Sequence, residues 1–272
     1  MAWQHAESSN GCQLVLQSIS LADKFFYHNI LSVLMVFLWV YVFYKGRYLT
    51  SDALTRKISI YIVLGCLIQE LIDFMNRMFL DPNYFFSIQR DLPLLQFCQI
   101  AFYFSLLCIF RTHKKIGINE KYSVNQFLFD CAFLLGFSGA FQGVITPDFD
   151  NINNLLGVIC IQLQHSLIIL CLVWLIAAYG YRLRFVGVCM TYLLINLIAP
   201  IALYFNSFLG QNAMGVHANY FYVNELPKAD NFFLNLISEY PSPDYILYIQ
   251  PIFIAYFLLL YLPFFIYYKV RS

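Results

Sequence analysis

"IQLQHSLIILCLVWLI", residues 161–176, is the stretch that decides the fold. It is apolar and carries no lysine, arginine, aspartate or glutamate. It forms the centre of a longer apolar run, 155–178, which as a helix spans a hydrocarbon core of about 30 Å. Yet it holds Gln162, Gln164 and His165. Lipid penalises such groups, so they must face a bundle interior or a wet cavity. The helix is therefore in a membrane, and it has neighbours.

The rest of the chain agrees. Of 272 residues, 61% are hydrophobic and only 11% are charged, against about 25% charged in an ordinary soluble domain. That much apolar surface does not fit inside one globule. The net charge is +1, so nucleic acid is not an expected partner. The polar opening, "MAWQHAESSNGCQLVLQS", lacks the basic start, apolar core and small-residue site of a cleaved signal. None of the eight cysteines forms a CxxC pair. Most are expected as small packing residues, with no disulfide framework and no zinc site.

Apolar runs at 25–44, 58–78, 92–110, 127–144, 155–178, 186–209 and 245–267 predict seven spans. The expected architecture is an all-α polytopic membrane bundle. A polar segment, 1–24, precedes a transmembrane domain, 25–272, with one long loop at 210–244. Lys45, Arg47, Arg56, Lys57, Arg111, Lys114, Lys115, Lys121, Arg182, Arg184, Lys269 and Arg271 all fall on one side of it. By the positive-inside rule that side is cytoplasmic, which puts the N-terminus and the 210–244 loop outside.

The polar residues inside the spans are the functional candidates. In span two, Cys66, Gln69, Glu70, Asp73, Asn76 and Arg77 fall within an arc of roughly 120°. Asp73 and Arg77, at i, i+4 spacing, can neutralise each other. Glu70 has no partner in its own helix and needs one from elsewhere. Span five places Asn154, Gln162, His165 and Ser166 on one side. Span six places Tyr192, Asn196, Pro200 and Ser207 on one face, and Pro200 frees a backbone carbonyl there. Read as a helix from residue 92, span three sets Cys98 about 9 Å deep, a depth similar to that of His165 at about 15 Å. Cys98 is then about 100° from Gln99, at the edge of the polar face. A polar cavity open to the outside accounts for Glu70, Asp73, Cys98, His165 and Asn196 together. So does a closed hydrogen-bonded core that only sets helix packing, at about 0.6–2 kcal/mol per bond.

"LPLLQFC" (92–98), "GVITPDF" (143–149), "QLQHSLIIL" (162–170), "NYFYVNELP" (219–227) and "LYIQPIFIAYFLLLYLPF" (247–264) resemble the YwaF-type bacterial integral membrane proteins, in the same order. The resemblance implies a multi-pass protein of the bacterial plasma membrane. Two departures stand out. Gln96 replaces a histidine two residues before the cysteine, and "YPSPDY" (240–245) replaces a tryptophan-rich turn. That family is similar to a eukaryotic transmembrane protein held to be a cysteine-dependent acyltransferase of ether phospholipids. It is more distantly similar to membrane hydrolases that use a threonine and a histidine. The resemblance implies Cys98 as nucleophile and His165 as base, acting on membrane phospholipid without a cofactor or metal. Glu70, Asp73, Gln162 and Asn196 are then candidates for binding substrate, and Asn196 or Gln162 for stabilising an oxyanion.

Two other classes remain open. Glu70, Asp73 and His165 are what a proton-coupled carrier would use, although the spans show no internal repeat. Seven spans with the 210–244 loop as a docking surface would also suit a sensor or partner-binding subunit. The oligomeric state is not legible. The orientation is directly testable: a tag on the C-terminus is expected to be reached only after the membrane is permeabilised, and labelling of intact cells would reverse the topology.

Overall fold

The structure, a computed structural model, describes residues 17–92, 96–117, 120–149, 151–227 and 232–271. Helices dominate: α1 (Leu21–Arg47), α2 (Asp52–Met75), α3 (Phe97–Arg111), α4 (Val124–Ser138), α5 (Ala140–Ile145), α6 (Leu155–Trp174), α7 (Phe185–Leu209) and α8 (Gln250–Arg271). Single wide turns extend α2 through Asn76–Leu80 and α6 through Leu175–Tyr179. Among the described residues there is no β-strand, only isolated bridges between Ser18 and Asn154 and between Gln211 and His217. The expected all-α membrane bundle is what is observed.

The helices start where local chemistry tells them to. Ser20, Ser51, Ser123 and Asn154 each accept a hydrogen bond from a first-turn backbone N–H, at Asp23, Leu54, Gln126 and Gly157. Such caps satisfy amides that have no partner inside the helix. α1 begins at Leu21, four residues before the expected start at 25, because Ser20 caps it.

Span three differs from its expectation. Gln96 is extended, with φ −125° and ψ 146°, and α3 starts only at Phe97. Its 15 residues reach about 22 Å, short of a bilayer core of about 30 Å. Among the described residues, with α4 and α5 counted as one span, six helices are long and apolar enough to cross alone, and α3 is the shorter seventh. The reading of Cys98 as one to two turns inside a helix is therefore corrected: Cys98 lies in the first turn of α3.

α6 is the hub, packed against α1, α2, α3, α4 and α5. Hydrogen bonds tie it to its neighbours. Trp39 Nε1 of α1 donates to Ser166 O at 3.0 Å, and Gln69 Nε2 of α2 donates to Cys160 O at 3.1 Å. Asn76 and Asn154 donate to each other's amide oxygens, at 3.4 and 3.0 Å. Trp174 Nε1 donates to Ser59 Oγ at 2.8 Å. The polar stripe of α2 is thus turned toward α6. α1 offers lipid a face that includes Phe37 and Val40, and buries His28, Met35, Trp39 and Gly46 against the bundle.

Two ends follow. The segments 81–92 and 210–227 meet with the starts of α3 and α6: Gln89 Nε2 donates to Leu209 O at 3.2 Å, and Asn153 Nδ2 to Asp81 Oδ2 at 3.1 Å. This is the loop end; the basic residues gather at the other. At the basic end the Asp130 carboxylate is fully buried and accepts from Gln126 Nε2 at 2.8 Å and Arg184 N at 3.3 Å. It fits only because residue 187 is glycine: a Cβ there would sit 2.1 Å from Asp130 Oδ2 and 2.4 Å from its Cβ. Overpacking of this kind costs about 1–3 kcal/mol. Gly187→Ala is accordingly expected to lower the thermal midpoint of the detergent-solubilised protein by several degrees, and an unchanged midpoint would show that the α4–α7 contact is loose.

Candidate functional site: a cavity under the loop end

A cavity of about 570 Å³ lies at the loop end. Its walls come from the start of α3 (Gln96, Cys98, Gln99), the α4–α5 junction (Ser138, Gly139, Gln142, Gly143), α6 (Gln164, His165), α7 (Ile195, Asn196) and α8 (Phe253, Tyr256). His165 is ten residues into α6, about 15 Å along it. The cavity therefore reaches from the loops to mid-helix.

Cys98 and His165 are placed by one short stretch, "GAFQG" at 139–143. Gly139 separates α4 from α5, at φ −112° and ψ −70°, and its N–H donates to Leu135 O while its carbonyl accepts from Gly143 N. A Cβ on Gly139 would lie 2.8 Å from Cys98 Sγ. A Cβ on Gly143 would lie 2.5 Å from His165 Nδ1 and 2.5 Å from Cε1. The thiol and the imidazole thus rest on two bare backbone positions of the same helix face, one turn or about 6 Å apart along the axis. Because α3 begins at Phe97, its end faces the cavity rather than its side. That brings Gln96, Cys98 and Gln99 into the lining together, instead of leaving Cys98 at the edge. Gln96 caps α3 without a side-chain hydrogen bond.

The other expected residues divide. Asn196 lines the cavity with its Nδ2 donating to Tyr192 O at 2.9 Å, and Pro200 four residues on leaves the Asn196 carbonyl without a helical donor. Gln162 is not brought to the cavity. It is fully buried on the α1 side of α6, where its Nε2 donates to Ser32 Oγ at 3.3 Å and Ser166 Oγ at 2.8 Å. Glu70 finds its partner in Gln164, whose Nε2 donates at 2.8 Å. Asp73 pairs with Arg77 at 2.5 Å, the ion pair their spacing predicts. Asp73 and Arg77 line a side lobe of about 170 Å³ with Asp81, Tyr84, Arg90 and Gln99. In the adjoining loop Asp91 draws Arg77, Arg90 and the Tyr84 hydroxyl together. Burial, then the Asp91 charge, pushes the Tyr84 phenol up to about 12, so it stays a donor.

The roof is "NYFYVNELP". Asn219 brackets it: its Nδ2 donates to Glu225 O at 2.9 Å, and its Oδ1 accepts from Asn224 N and Glu225 N, each at 3.1 Å. Tyr220 is pinned by Asn206, which accepts from Tyr220 N at 2.9 Å and donates to Tyr220 O at 3.0 Å. Its hydroxyl donates to Ile88 O at 2.7 Å and accepts from Leu92 N at 2.8 Å. These anchors hold Phe221 and Tyr222 at φ 62° and 49°, a left-handed conformation that costs an aromatic residue on the order of 1–3 kcal/mol. Phe221 stacks on Phe97, ring centres 4.2 Å apart. Tyr222 hangs into the cavity; burial, then the nearness of Cys98 and Asp148, pushes its phenol up. Tyr245, the first residue of a short helix (Tyr245–Tyr248), donates its hydroxyl to Tyr222 O at 2.5 Å.

Four positions escaped the sequence reading. Gly139 and Gly143 had a signal, a small-xxx-small spacing inside an apolar helix. His28 had one too, as an ionisable side chain in span one. Asn206 had none, because its partner is a backbone segment 14 residues away.

Fold and site together define a multi-pass membrane protein with a cavity sunk from one end to mid-helix. The chain belongs to the TMEM164 family, whose sequence profile matches residues 21–261, from the start of α1 well into α8. No curated protein and no solved structure matches it.

Thiol chemistry reads the roof directly. Cys98 is half-buried and Cys189 exposed, whereas Cys66, Cys108, Cys131, Cys160 and Cys171 are buried. With Cys12 and Cys189 replaced by serine, a small polar alkylating reagent is expected to modify Cys98 alone, and faster in Asn206→Leu, which unpins the strap. Equal rates with and without Asn206 would mean that the strap does not cover the thiol.

Proposed function

We propose that this cavity is the active site of a membrane-lipid acyltransferase or lipid hydrolase, with Cys98 as nucleophile and His165 as general base. The observation that carries the reading is that a thiol and an imidazole line one cavity, each lying against a bare glycine backbone, Gly139 and Gly143, four residues apart in the chain. It agrees with the roles implied by the resemblance noted above.

The chemistry runs in two steps. His165 takes the thiol proton as Cys98 Sγ attacks the ester carbonyl of a phospholipid. The C–O bond breaks, the lipid alcohol leaves with the proton returned by His165, and the acyl group stays as a thioester on Cys98. An acceptor hydroxyl, or water in a hydrolase, then gives its proton to His165 and attacks the thioester. A new ester or a free acid forms and the thiol is restored. Charge develops on the carbonyl oxygen in both steps. α3 starts at the thiol, so its first-turn N–H groups, which lack intrahelical acceptors, are the donors nearest to that oxygen, with the Asn196 side chain beside the cavity. Gln162, occupied on the far side of α6, drops out of this role.

Asp73 with Arg77 and Arg90 in the side lobe supplies both signs of charge for a polar headgroup. Glu70 supports Gln164, which lines the cavity and the lobe alike. With the basic end in the cytoplasm the cavity opens to the outer leaflet, and the bacterial plasma membrane suits the YwaF-type resemblance. The carrier reading has less to draw on, because Glu70 and Asp73 are engaged by Gln164 and Arg77 rather than by His165.

The test uses protein reconstituted in vesicles with a phospholipid labelled in its acyl chain, plus a lysophospholipid acceptor. Cys98→Ala and His165→Ala are each expected to lose about 100-fold or more in turnover at unchanged thermal stability, and the parent chain to carry label as a thioester on Cys98. Gly143→Ala, which pushes the imidazole aside, is expected to lose about as much as His165→Ala. Turnover that survives Cys98→Ala would end this assignment.

A further inference from the structure

The back of His165 is as informative as its front. Its Nδ1 is buried and has no hydrogen-bond partner among the described residues. The same is true of one nitrogen on the neighbouring helix, Nε2 of His28 in α1. His28 is fully buried, and Ser32 ties it to Gln162, three residues before His165 on α6. Leaving a buried polar group unsatisfied costs about 1–3 kcal/mol. Two such nitrogens on facing helices can satisfy each other, provided one is a donor and the other an acceptor.

The hydrogen bonds around Ser32 decide which is which. Ser32 Oγ lies 2.9 Å from His28 O and donates its single hydrogen there. The oxygen is then left only as an acceptor. It accepts from Gln162 Nε2 at 3.3 Å and faces His28 Nδ1 at 3.4 Å. His28 must therefore carry its proton on Nδ1, which leaves Nε2 a bare acceptor. A ring nitrogen facing it must bring the hydrogen. If that nitrogen is His165 Nδ1, then His165 Nε2 holds the lone pair, and the imidazole is in the form a general base needs.

Resting on the Cys98–His165 reading above, we infer that His28 is the positioning residue of this site: its Nε2 accepts from His165 Nδ1–H through one water, and so holds His165 Nε2 free to take the Cys98 proton. The arrangement has the logic of a nucleophile, a base and an orienting group, with a neutral imidazole in place of a carboxylate. Ser32 and Gln162 form the next layer. Phe149, brought inward by the "TPDF" turn, packs edge-on against His28 with ring centres 5.6 Å apart and limits its rotation.

Two experiments on the reconstituted full-length chain separate this inference from the assignment it rests on. The first needs no turnover: solid-state nitrogen-15 spectra of histidine-labelled protein, with the His165 signals assigned by their loss in His165→Ala. His165 is expected as the Nδ1–H form in the parent and as a mixture of both neutral forms in His28→Leu. A parent His165 protonated on Nε2, or one whose form ignores His28→Leu, overturns the inference. The second is kinetic. His28→Leu and His28→Asn are expected to lower kcat by about 10- to 100-fold, within the roughly 10²–10⁴-fold that a general base supplies, with KM within about twofold of the parent. His28→Gln places an amide oxygen near the position of Nε2 and is expected to recover most of that loss. Equal kcat for Leu, Asn, Gln and parent overturns the inference while leaving Cys98 and His165 in place. A parent chain that turns over no lipid ends the Cys98–His165 assignment instead, and the spectra still report on the ring pair.

Discussion

His165 can lie against α5 only because residue 143 has no side chain, and much of the loop end depends on that approach. A Cβ there would occupy the space of Nδ1 and Cε1. The imidazole would have to swing toward α1, where His28, Ser32 and Gln162 already fill the volume. Gly139 does the same for Cys98 one turn away. The stretch between them thus fixes two chemically distinct side chains against one rigid backbone. Helices in lipid gain little from burying apolar surface against each other, since the solvent is as apolar as they are. Close backbone approach and hydrogen bonds must do that work, and 139–143 shows the first as clearly as Gln162 and Trp39 show the second.

The fold was largely legible, for a simple reason. Hydrocarbon thickness imposes a length on each span, and the apolar runs record each one, with some ends off by three to six residues. The failure at span three has an equally physical cause. An apolar segment with a proline at 93 satisfies a hydropathy reading whether or not it is helical, and here Gln96 is extended and the helix waits until Phe97. That shift of a few residues turns Cys98 from a side-on packing thiol into a helix-end group facing a cavity.

The site was legible in part. Spacing alone paired Asp73 with Arg77, because i, i+4 neighbours meet on any helix. It put Gln162 on the side of His165, and it could not say that the helix packs α1 along one edge of that side and the cavity along another. Two residues three apart on a helix differ by about 60° in direction, enough to point one amide at Ser32 and one imidazole at the cavity. A polar stripe read from sequence is a sum over all neighbours of a helix. Only packing resolves it into the part that ties helices together and the part that faces open space.

The roof follows the same logic of distributed constraint. Phe221 and Tyr222 adopt a conformation that neither would choose, and no bond within the two residues compensates it. The stabilisation comes from outside: Asn206 from α7, Ile88 and Leu92 from the loop after α2, Tyr245 from the turn before α8, and the Asn219 bracket. Each anchor is an ordinary hydrogen bond worth about 1 kcal/mol, and together they are of the same order as the strain. A strap fixed from three separate segments is sensitive to how those segments sit relative to one another. Any parting of α7 from the segment before α8 would disturb the Asn206 and Tyr245 anchors at once. The strained pair would then be free to relax away from Phe97, uncovering the helix end that carries Cys98. Covering Cys98 and closing the cavity thus reduce to the same set of contacts, made or released together.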